Sequence, residues 1–551
     1  MSQTRRLAAI LAADLVGYSR LIEADEAGTL QVLKAMKAEL FAPTIAAHNG
    51  RFVKTTGDGF LGEFSSVVDA LRCAAEIQGR MAERTATAPS SELIEFRIGV
   101  NVGDIVVLED AAVLELRASL HGPLLCPGEA GYDETRKVWN GIIDRHPALI
   151  ASCAGAADVI AVKFARAREV LVSVRGGGHN IPGNAVCEGG LMIDLAGMRS
   201  VRVDPVRRTA RAEGGVTWED FDRETQAFGL ATTGGSVSHT GIAGLTLGGG
   251  LGWLGGKHGL SCDNLLSADL VTADGNVLIA STDENADLYW GLRGGGGNFG
   301  VVTSFECQLH PVGSLLAGMV LYPFSKAKDA LRFYRDFIAD APDELKTIGA
   351  LLTSPDGVPV AGIAVCYNGD LATGEKLLRP IRAFGPPLAD HIGPTAYRQV
   401  QTLLDSAAIR GRRYYIKSSM MQRISDAAID TLIDRFATVP SPLSLIAFQQ
   451  LGNAANRVSA TATAFSHRNA LCEWACISGW IDPTADDVNI HWARQLSEVM
   501  RPFITGSDYV NQIGLETEEG SERIRAACGA NYDRLVELKN KYDPTNLFRH
   551  N

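Results

Sequence analysis

Two groups of residues in this chain of 551 have the types and spacing to do chemistry. The larger group is glycine. Ten fall within one short stretch: Gly234, Gly235, Gly241, Gly244, Gly248, Gly249, Gly250, Gly252, Gly255 and Gly256. Upstream stands Arg175-Gly176-Gly177-Gly178-His179-Asn180, and downstream Arg293-Gly294-Gly295-Gly296-Gly297-Asn298-Phe299-Gly300. Glycine loses more backbone entropy on folding than any other residue, so clustering it is costly. Close approach of bare main chain to a large ligand offsets that cost, above all when phosphates meet successive N–H groups. Three clusters therefore predict an extended cofactor lying across several loops. The second group is a pair of carboxylates, Asp14 and Asp58. Brought together at a strand edge, they would hold a hard cation such as Mg²⁺.

The elements that must position these residues follow from periodicity. Residues 7–16 form a strand-like apolar run. Residues 25–47 are helical, with Leu30, Leu33, Met36 and Leu40 on one stripe. Strands at 51–56 and 60–64 flank the hairpin signal Gly57-Asp58-Gly59. Residues 67–84 are a second amphipathic helix, predicted to turn Val67, Leu71, Ala74, Ile77 and Met81 inward, and 96–102 is a strand. The order βαββαβ is the split ferredoxin-like unit. Its first and third strands are antiparallel neighbours, so Asp14 and Asp58 are predicted to converge. Residues 108–135 break the pattern with Pro123, Pro127, Gly128 and Gly131 and read as a junction. A helix through Val138 and Ile142 is predicted after it.

From residue 148 the chain reads strand, helix, strand, ending in the run that leads to Gly176. Short strands recur at 191–194, 201–203, 209–213, 265–272, 277–280 and 301–309, with a helix at 217–228. The spacing G-x-G-x-x-G occurs at 250–255 and 295–300. A loop follows the first and a strand the second, so a Rossmann site is rejected. Lys257 is followed by His258, which rejects a P-loop. Residues 314–500 predict an antiparallel sheet covered by helices. The helices are 326–339 with Ser325 as N-cap, 427–437 and 488–503; the strands are 360–367, 443–449 and 470–480.

Composition bounds the function. A hydrophobic content of 46% and a charged content of 21% fit a globular protein of about three domains. The net charge of −11 argues against a nucleic-acid or anionic-membrane partner. The ten cysteines lack metal spacing: Cys472 and Cys476 are four apart and no second pair follows. A cytoplasmic location is the simpler expectation. Arg5-Arg6 before a short apolar run ending in Asp14 reads as a buried strand rather than a signal. No stretch is long and apolar enough to cross a membrane.

Two resemblances sharpen these expectations. Leu11-Ala12-Ala13-Asp14-Leu15-Val16-Gly17-Tyr18-Ser19 and Lys54-Thr55-Thr56-Gly57-Asp58-Gly59 resemble the catalytic domain of class III nucleotidyl cyclases. The resemblance covers about residues 5–110 and implies Asp14 and Asp58 as metal ligands and Lys54 as a purine reader. After Gly103-Asp104-Ile105-Val106-Val107 the family's segment with an Asn and an Arg has no counterpart. Cyclisation needs that electrostatic support, so residues 1–107 are expected to be a truncated, inactive module with dimerisation as a remaining role.

The glycine-rich part resembles the PCMH-type flavin domain of the vanillyl-alcohol-oxidase superfamily, within the berberine-bridge-enzyme-like oxidoreductases. Val174 to Asn180, Thr240 to Gly252, Asp263-Asn264-Leu265-Leu266, residues 292–303, Asn531-Tyr532-Asp533-Arg534-Leu535 and Tyr542-Asp543-Pro544-Thr545-Asn546-Leu547-Phe548 carry it. It spans about residues 130–551. The resemblance implies an α+β fold: a two-subdomain FAD-binding domain at 136–313, an antiparallel-sheet substrate domain at 314–504 roofing the flavin, and a segment at 505–551 returning to the FAD domain. It implies FAD held by Arg175, Gly176, Gly177, Gly178, His179, Asn180, Gly183, Asn184, Gly235, Thr240, Gly241, Gly244, Leu245, Gly248, Gly250, Gly252, Asp263, Asn264, Val302, Asn546 and Phe548. His179 would be attached to the flavin 8α-methyl group, a role that suits a nucleophilic imidazole nitrogen. Many relatives carry a second link through cysteine; the matching position here is Val237, so a single link is expected, with Cys187 and Cys262 outside that frame. Tyr509-Val510-Asn511 matches the family's Tyr-x-Asn, making Tyr509, beside Asn511, the expected base or substrate-orienting phenol. The implied activity is hydride removal from an alcohol, amine or sugar-like small molecule, with O₂ or another acceptor regenerating the flavin and a homodimer as a compatible assembly. The alternative is a cyclase-type signalling protein with the flavin part as redox sensor.

Overall fold

In a computed structural model of the chain, strand Gln3–Leu15 pairs antiparallel with Gly59–Phe64 on one side and Phe96–Leu108 on the other, and Gly50–Thr55 lies beyond Gly59–Phe64. The structure describes residues 3–16, 26–55, 59–87, 96–108, 111–514 and 520–549. The chain divides into two units, Met1–Glu115 and Leu116–Asn551. The first has the ferredoxin-like strand order, with the third strand beside the first. Leu11, Ala13, Phe41, Phe60 and Ile77 are buried in its core, and the Phe41 and Phe60 rings meet at 4.3 Å.

One expectation for this unit is corrected. In helix Val67–Thr87, Val67 and Leu71 are 40% and 55% exposed, and the buried stripe is Ala70, Cys73, Ile77 and Met81. The small Ala70 and Cys73 face the sheet, where bulkier residues would hold the helix off. Asp14 stands opposite Gly59 in register, but its carboxylate pairs with Arg97 at 3.1 Å. Asp58 and the Lys54 side chain lie outside the described residues, as does the predicted meeting of the two carboxylates. Among the described residues no cluster of three or more His, Cys, Asp or Glu could hold a metal.

The second unit begins with a small sheet. Leu149–Ser152 and Val172–Arg175 flank Leu191–Asp194 in parallel, and Leu124–Leu125 adds an antiparallel edge. Parallel strands buried on both faces read as continuous apolar runs, as Leu149-Ile150-Ala151 and Leu191-Met192-Ile193 do, whereas Val172-Ser173-Val174-Arg175 alternates. The helix expected through Val138 and Ile142 is a single turn, Tyr132–Thr135. Beyond it the Asn140 amide donates to the carbonyls of Ile181 and Tyr414, both at 2.9 Å, and its oxygen accepts from two backbone N–H groups. A side chain that satisfies backbone in this way competes with helix.

A second sheet runs Val277–Ser281, Leu265–Val271, Val301–Gln308, Thr209–Glu213 and Val201–Asp204, all antiparallel. Helix Trp218–Gln226 begins at Thr217, whose hydroxyl and Asp220 form a capping box. The third sheet has eight antiparallel strands, centred on Pro359–Tyr367, Leu345–Thr353, Leu445–Gln450 and Cys472–Trp480. Its strands Leu315–Pro323, Leu345–Thr353 and Arg413–Met421 add to those expected. Helices Ala327–Ala339, Asp426–Phe436 and Asp486–Met500 bury its outer face, with Leu331, Tyr334, Ile429 and Leu496 in that core. Ser325 is not the cap of the first of these: a turn at Phe324–Lys326 precedes it, and Lys326 occupies the cap position without a side-chain bond. Helix Tyr532–Tyr542 returns to helix Ala286–Gly291, where Lys541 and Tyr542 both bind Asp287, at 2.6 and 2.9 Å. No helix among the described residues is long and apolar enough to cross a membrane.

Candidate active site

The strand Val172–Arg175 delivers the first glycine cluster to the edge of the small sheet, and the turn before helix Ile242–Leu247 delivers the second. The two meet directly. A Cβ on Gly177 would lie 2.3 Å from the Gly241 nitrogen, and one on Gly241 would lie 2.4 Å from the Gly177 nitrogen. No side chain fits at either position, so main-chain N–H groups form the surface. Residues 295–302 supply a third edge, and the inner face of the eight-stranded sheet closes the space from above. The cavity is partly open and has a volume of about 1260 Å³.

Thirteen of the residues expected at the site line this cavity: Gly176, Gly177, Gly178, His179, Asn180, Asn184, Thr240, Gly241, Gly244, Leu245, Val302, Tyr509 and Asn511. The others do not line it and are engaged within the fold. Arg175 turns inward and binds Asp194 through two bonds of 2.7 and 2.6 Å. Gly183 packs on Ile143, and Gly235 accepts from Gln401. Gly248 leaves room for Asn511, whose Oδ1 would lie 2.0 Å from a Cβ there. The N–H of Gly250 donates to Tyr509, and Gly252 backs onto the Gly234 carbonyl. Asp263 takes both Arg468 nitrogens at 2.7 Å. Asn264 bonds the His258 and Leu260 carbonyls. Asn546 turns the chain and Phe548 is buried, both tied to Asp543.

His179 sits in a stack that the sequence does not announce. Its ring lies 4.8 Å from Trp139, which stacks on Tyr414 at 4.1 Å. Its Nε2 is 2.6 Å from His239 Nδ1. Burial, then the neighbouring His239 and Arg410, holds its pKa well below the usual histidine range. A neutral imidazole keeps a free electron pair, as a nucleophile requires.

Tyr509 is buried, and its hydroxyl accepts two N–H bonds of 2.8 Å, from Gly250 and from the Asn511 amide. Asn511 also donates to the Leu245 carbonyl at 2.9 Å. Burial raises the phenol pKa far above its ordinary value. This geometry supports an orienting phenol more than a base.

Four further polar residues belong to the site, and sequence reasoning passed over them: His239, Gln449, Glu473 and Gln512. Glu473, Gln449 and Gln512 line the cavity; Gln449 donates to Ser236 at 3.0 Å and Gln512 to Glu473 at 3.3 Å. Burial pushes the Glu473 carboxyl up to about 8, with Lys346 pulling the other way. The available signal was one charge inside an apolar strand.

Bare main chain from two touching loops, a neutral imidazole and a large, mostly apolar space fit FAD. The comparisons agree. A family profile described as FAD binding domain matches residues 147–281, and one described as berberine and berberine like matches residues 508–551. An FAD-linked oxidoreductase of Dictyostelium discoideum is 32% identical over 80% of this chain and 96% of its own length. The (R)-6-hydroxynicotine oxidase of Paenarthrobacter nicotinovorans is 31% identical over 79% of this chain and 96% of its own. The solved structure of 6-hydroxy-D-nicotine oxidase from Arthrobacter nicotinovorans superposes with a TM-score of 0.72 at 29% identity, covering 79% of this chain and 97% of that one. A chitooligosaccharide oxidase shares the fold at a TM-score of 0.70 and 24% identity. With the glycine cradle, the roofing sheet and these relatives in agreement, the chain belongs to the FAD-linked, berberine-bridge-enzyme-like oxidoreductases.

Proposed function

We propose that this oxidoreductase is an oxidase of a small alcohol or amine, with FAD joined to the protein by one bond through His179. The observation that carries the reading is the cavity bounded below by the glycine loops and above by the substrate sheet. FAD supplies the two-electron acceptor and, with O₂, its own reoxidation. The chain's residues do the rest. Main-chain groups at Gly177 and Gly241 would hold its phosphates. His179, kept neutral, would be the tether. The apolar sheet would exclude water and hold the substrate. Tyr509 and Asn511 would orient it.

Acid precipitation tests the tether. Yellow colour is expected to stay with the wild-type pellet, and His179→Ala is expected to release it to the supernatant. Complete release from wild type would remove the covalent claim. Peroxide formed on adding substrate and O₂ separates an oxidase from a dehydrogenase. For residues 1–107 we propose a catalytically silent cyclase-like module, because the segment with an Asn and an Arg that stabilises cyclisation has no counterpart in the sequence. ATP or GTP with Mg²⁺ or Mn²⁺ is expected to give no cyclic nucleotide; product that Asp58→Ala abolishes would refute it.

A further inference from the structure

Helix Trp218–Gln226 packs against helix Tyr397–Gln401, which precedes strand Arg413–Met421 of the eight-stranded sheet. Residues one turn apart share a helix face. Trp218 and Asp222 therefore look the same way from one helix, and Tyr397 and Gln401 from the other. At one end of the seam stands Gly234: a Cβ there would lie 2.8 Å from the Trp218 ring and 3.2 Å from Gln401 Nε2. At the other end the Tyr397 hydroxyl donates to the Thr232 carbonyl at 3.3 Å and lies close enough to Asp222 for their charges to couple. Gln401 Nε2 donates to the Gly235 carbonyl at 2.9 Å, so segment 232–235 is the third wall. Five atoms here are buried with no hydrogen-bond partner: Asp222 Oδ1 and Oδ2, Thr232 Oγ1, Gln401 Oε1 and Trp218 Nε1. Each of these four residues is 1% exposed. Bare buried oxygens are expensive to keep, and an ionised carboxylate more so.

We propose that Asp222, Thr232 and Gln401 bind a monovalent alkali cation, Na⁺ or K⁺, with the Tyr397 hydroxyl oxygen as a further neutral donor. The composition of the group carries this. Four of the five orphaned atoms are oxygens with lone pairs to give, and one is an N–H. Hard cations take oxygen ligands, including neutral carbonyls. The seam holds no thiolate or imidazole for zinc. Its single carboxylate matches one positive charge, so a monovalent ion needs no carboxylate cluster. Water would meet the lone pairs and leave the charge uncompensated. Arg398 acts on Asp222 only through space: it is exposed and makes no hydrogen bond to it. Without a partner, burial drives the Asp222 carboxyl well above the usual carboxylate range; a bound cation keeps it ionised.

The ion works from behind the cavity, because none of its three ligands lines that space. Segment 232–235 runs on into Ser236, Val237, Thr240 and Gly241, which do line it. One turn beyond Gln401, Asp405 accepts from the Ser238 N–H at 2.8 Å and from its hydroxyl at 2.6 Å. The cation and this carboxylate thus fasten one glycine loop to the helix that leads into the sheet above it.

The test uses the full chain as purified. The protein is exchanged into tetramethylammonium chloride, and its melting temperature is followed as KCl or NaCl replaces that salt at constant ionic strength. The melting temperature is expected to rise by a few degrees and to level off as the site fills. Asp222→Asn, of nearly the same shape, should lose the response. Crystals soaked in thallous acetate, whose Tl⁺ substitutes for K⁺, are expected to show an anomalous peak between Asp222, Thr232 and Gln401. That measurement needs only the wild type, so it decides the matter even if Asp222→Asn fails to fold. Absence of the peak would overturn the site. A rise in melting temperature that Asp222→Asn shares would put the ion elsewhere and overturn it too. A response to Ca²⁺ or Mg²⁺ alone would overturn the monovalent assignment. A protonated-carboxyl infrared band in K⁺ buffer, missing in Asp222→Asn, would mean a neutral acid bonded to water and would refute the cation.

Discussion

At Arg175 the charge that the sequence assigns to the cofactor goes to the fold. The guanidinium binds Asp194 through two nitrogens and reaches the Thr135 and Lys137 carbonyls, with both partners buried. Removing one member of a buried pair strands the other charge, at a cost of about 3–5 kcal/mol. Arg175→Ala should therefore lower stability by that order in urea denaturation. Arg175→Lys should recover only part of it, because a single ammonium cannot reproduce the fork. Glu473 carries the opposite sign. Its folded pKa is raised, so the native state keeps a proton that the unfolded chain has released. The stability it contributes is complete below about 4.5 and lost as pH rises towards about 8. Glu473→Gln should stabilise the protein at pH 8 and hardly at all at pH 4.5, since a proton held more tightly by the folded than the unfolded chain costs stability once the pH rises above the unfolded value. Thermal unfolding of both forms across pH checks the sign; a gap that widens towards acid would refute it. Both residues show why part of the site could not be read. His179 is legible because it sits inside a glycine cluster. Glu473 acquires meaning only when strands from distant parts of the chain put it over those glycines, and His239 only when its ring reaches His179.

At the scale of elements, the glycine loops were legible because their constraint is local, whereas helix phase and strand pairing depend on neighbours. Helix Val67–Thr87 offers two apolar stripes, and packing against the sheet buried the one with small residues, Ala70 and Cys73. Strand Arg413–Met421 shows no alternation because helix Asp486–Met500 packs on one side of it and the cavity lies on the other, so Lys417, Ser418 and Ser419 are buried among its apolar residues. The contact of Gly177 with Gly241 gives the sharpest test at this scale. A methyl at Gly177 would sit 2.3 Å from a backbone nitrogen, and backbone cannot swing aside as a flexible side chain can. Gly177→Ala should separate the two loops, giving a folded protein with strongly reduced flavin content at normal helix content. The ratio of flavin absorbance to protein absorbance measures it. Gly155→Ala is the control, because nothing lies within 4 Å of a Cβ there and it does not line the cavity, and it should keep its flavin.

For the whole molecule, the division into Met1–Glu115 and Leu116–Asn551 puts every cavity-lining residue, from Trp139 to Cys528, in the second unit. The relatives point the same way: the Dictyostelium oxidoreductase is matched over 96% of its length by 80% of this chain, so the family's fold is complete without a counterpart of the remainder. Each unit also has its own buried core, Phe41 and Phe60 in one and Leu331, Tyr334 and Leu496 in another. Residues 116–551 expressed alone should fold, retain flavin in the acid-precipitated pellet, and reduce it at the full-length rate within about twofold, since all the residues that line the cavity belong to that unit. The first unit expressed alone should be colourless. Loss of flavin from the isolated second unit, or a reduction rate changed tenfold, about 1.4 kcal/mol in barrier, would mean that the cyclase-like unit governs the oxidoreductase and would revive the reading of a signalling protein with a redox sensor.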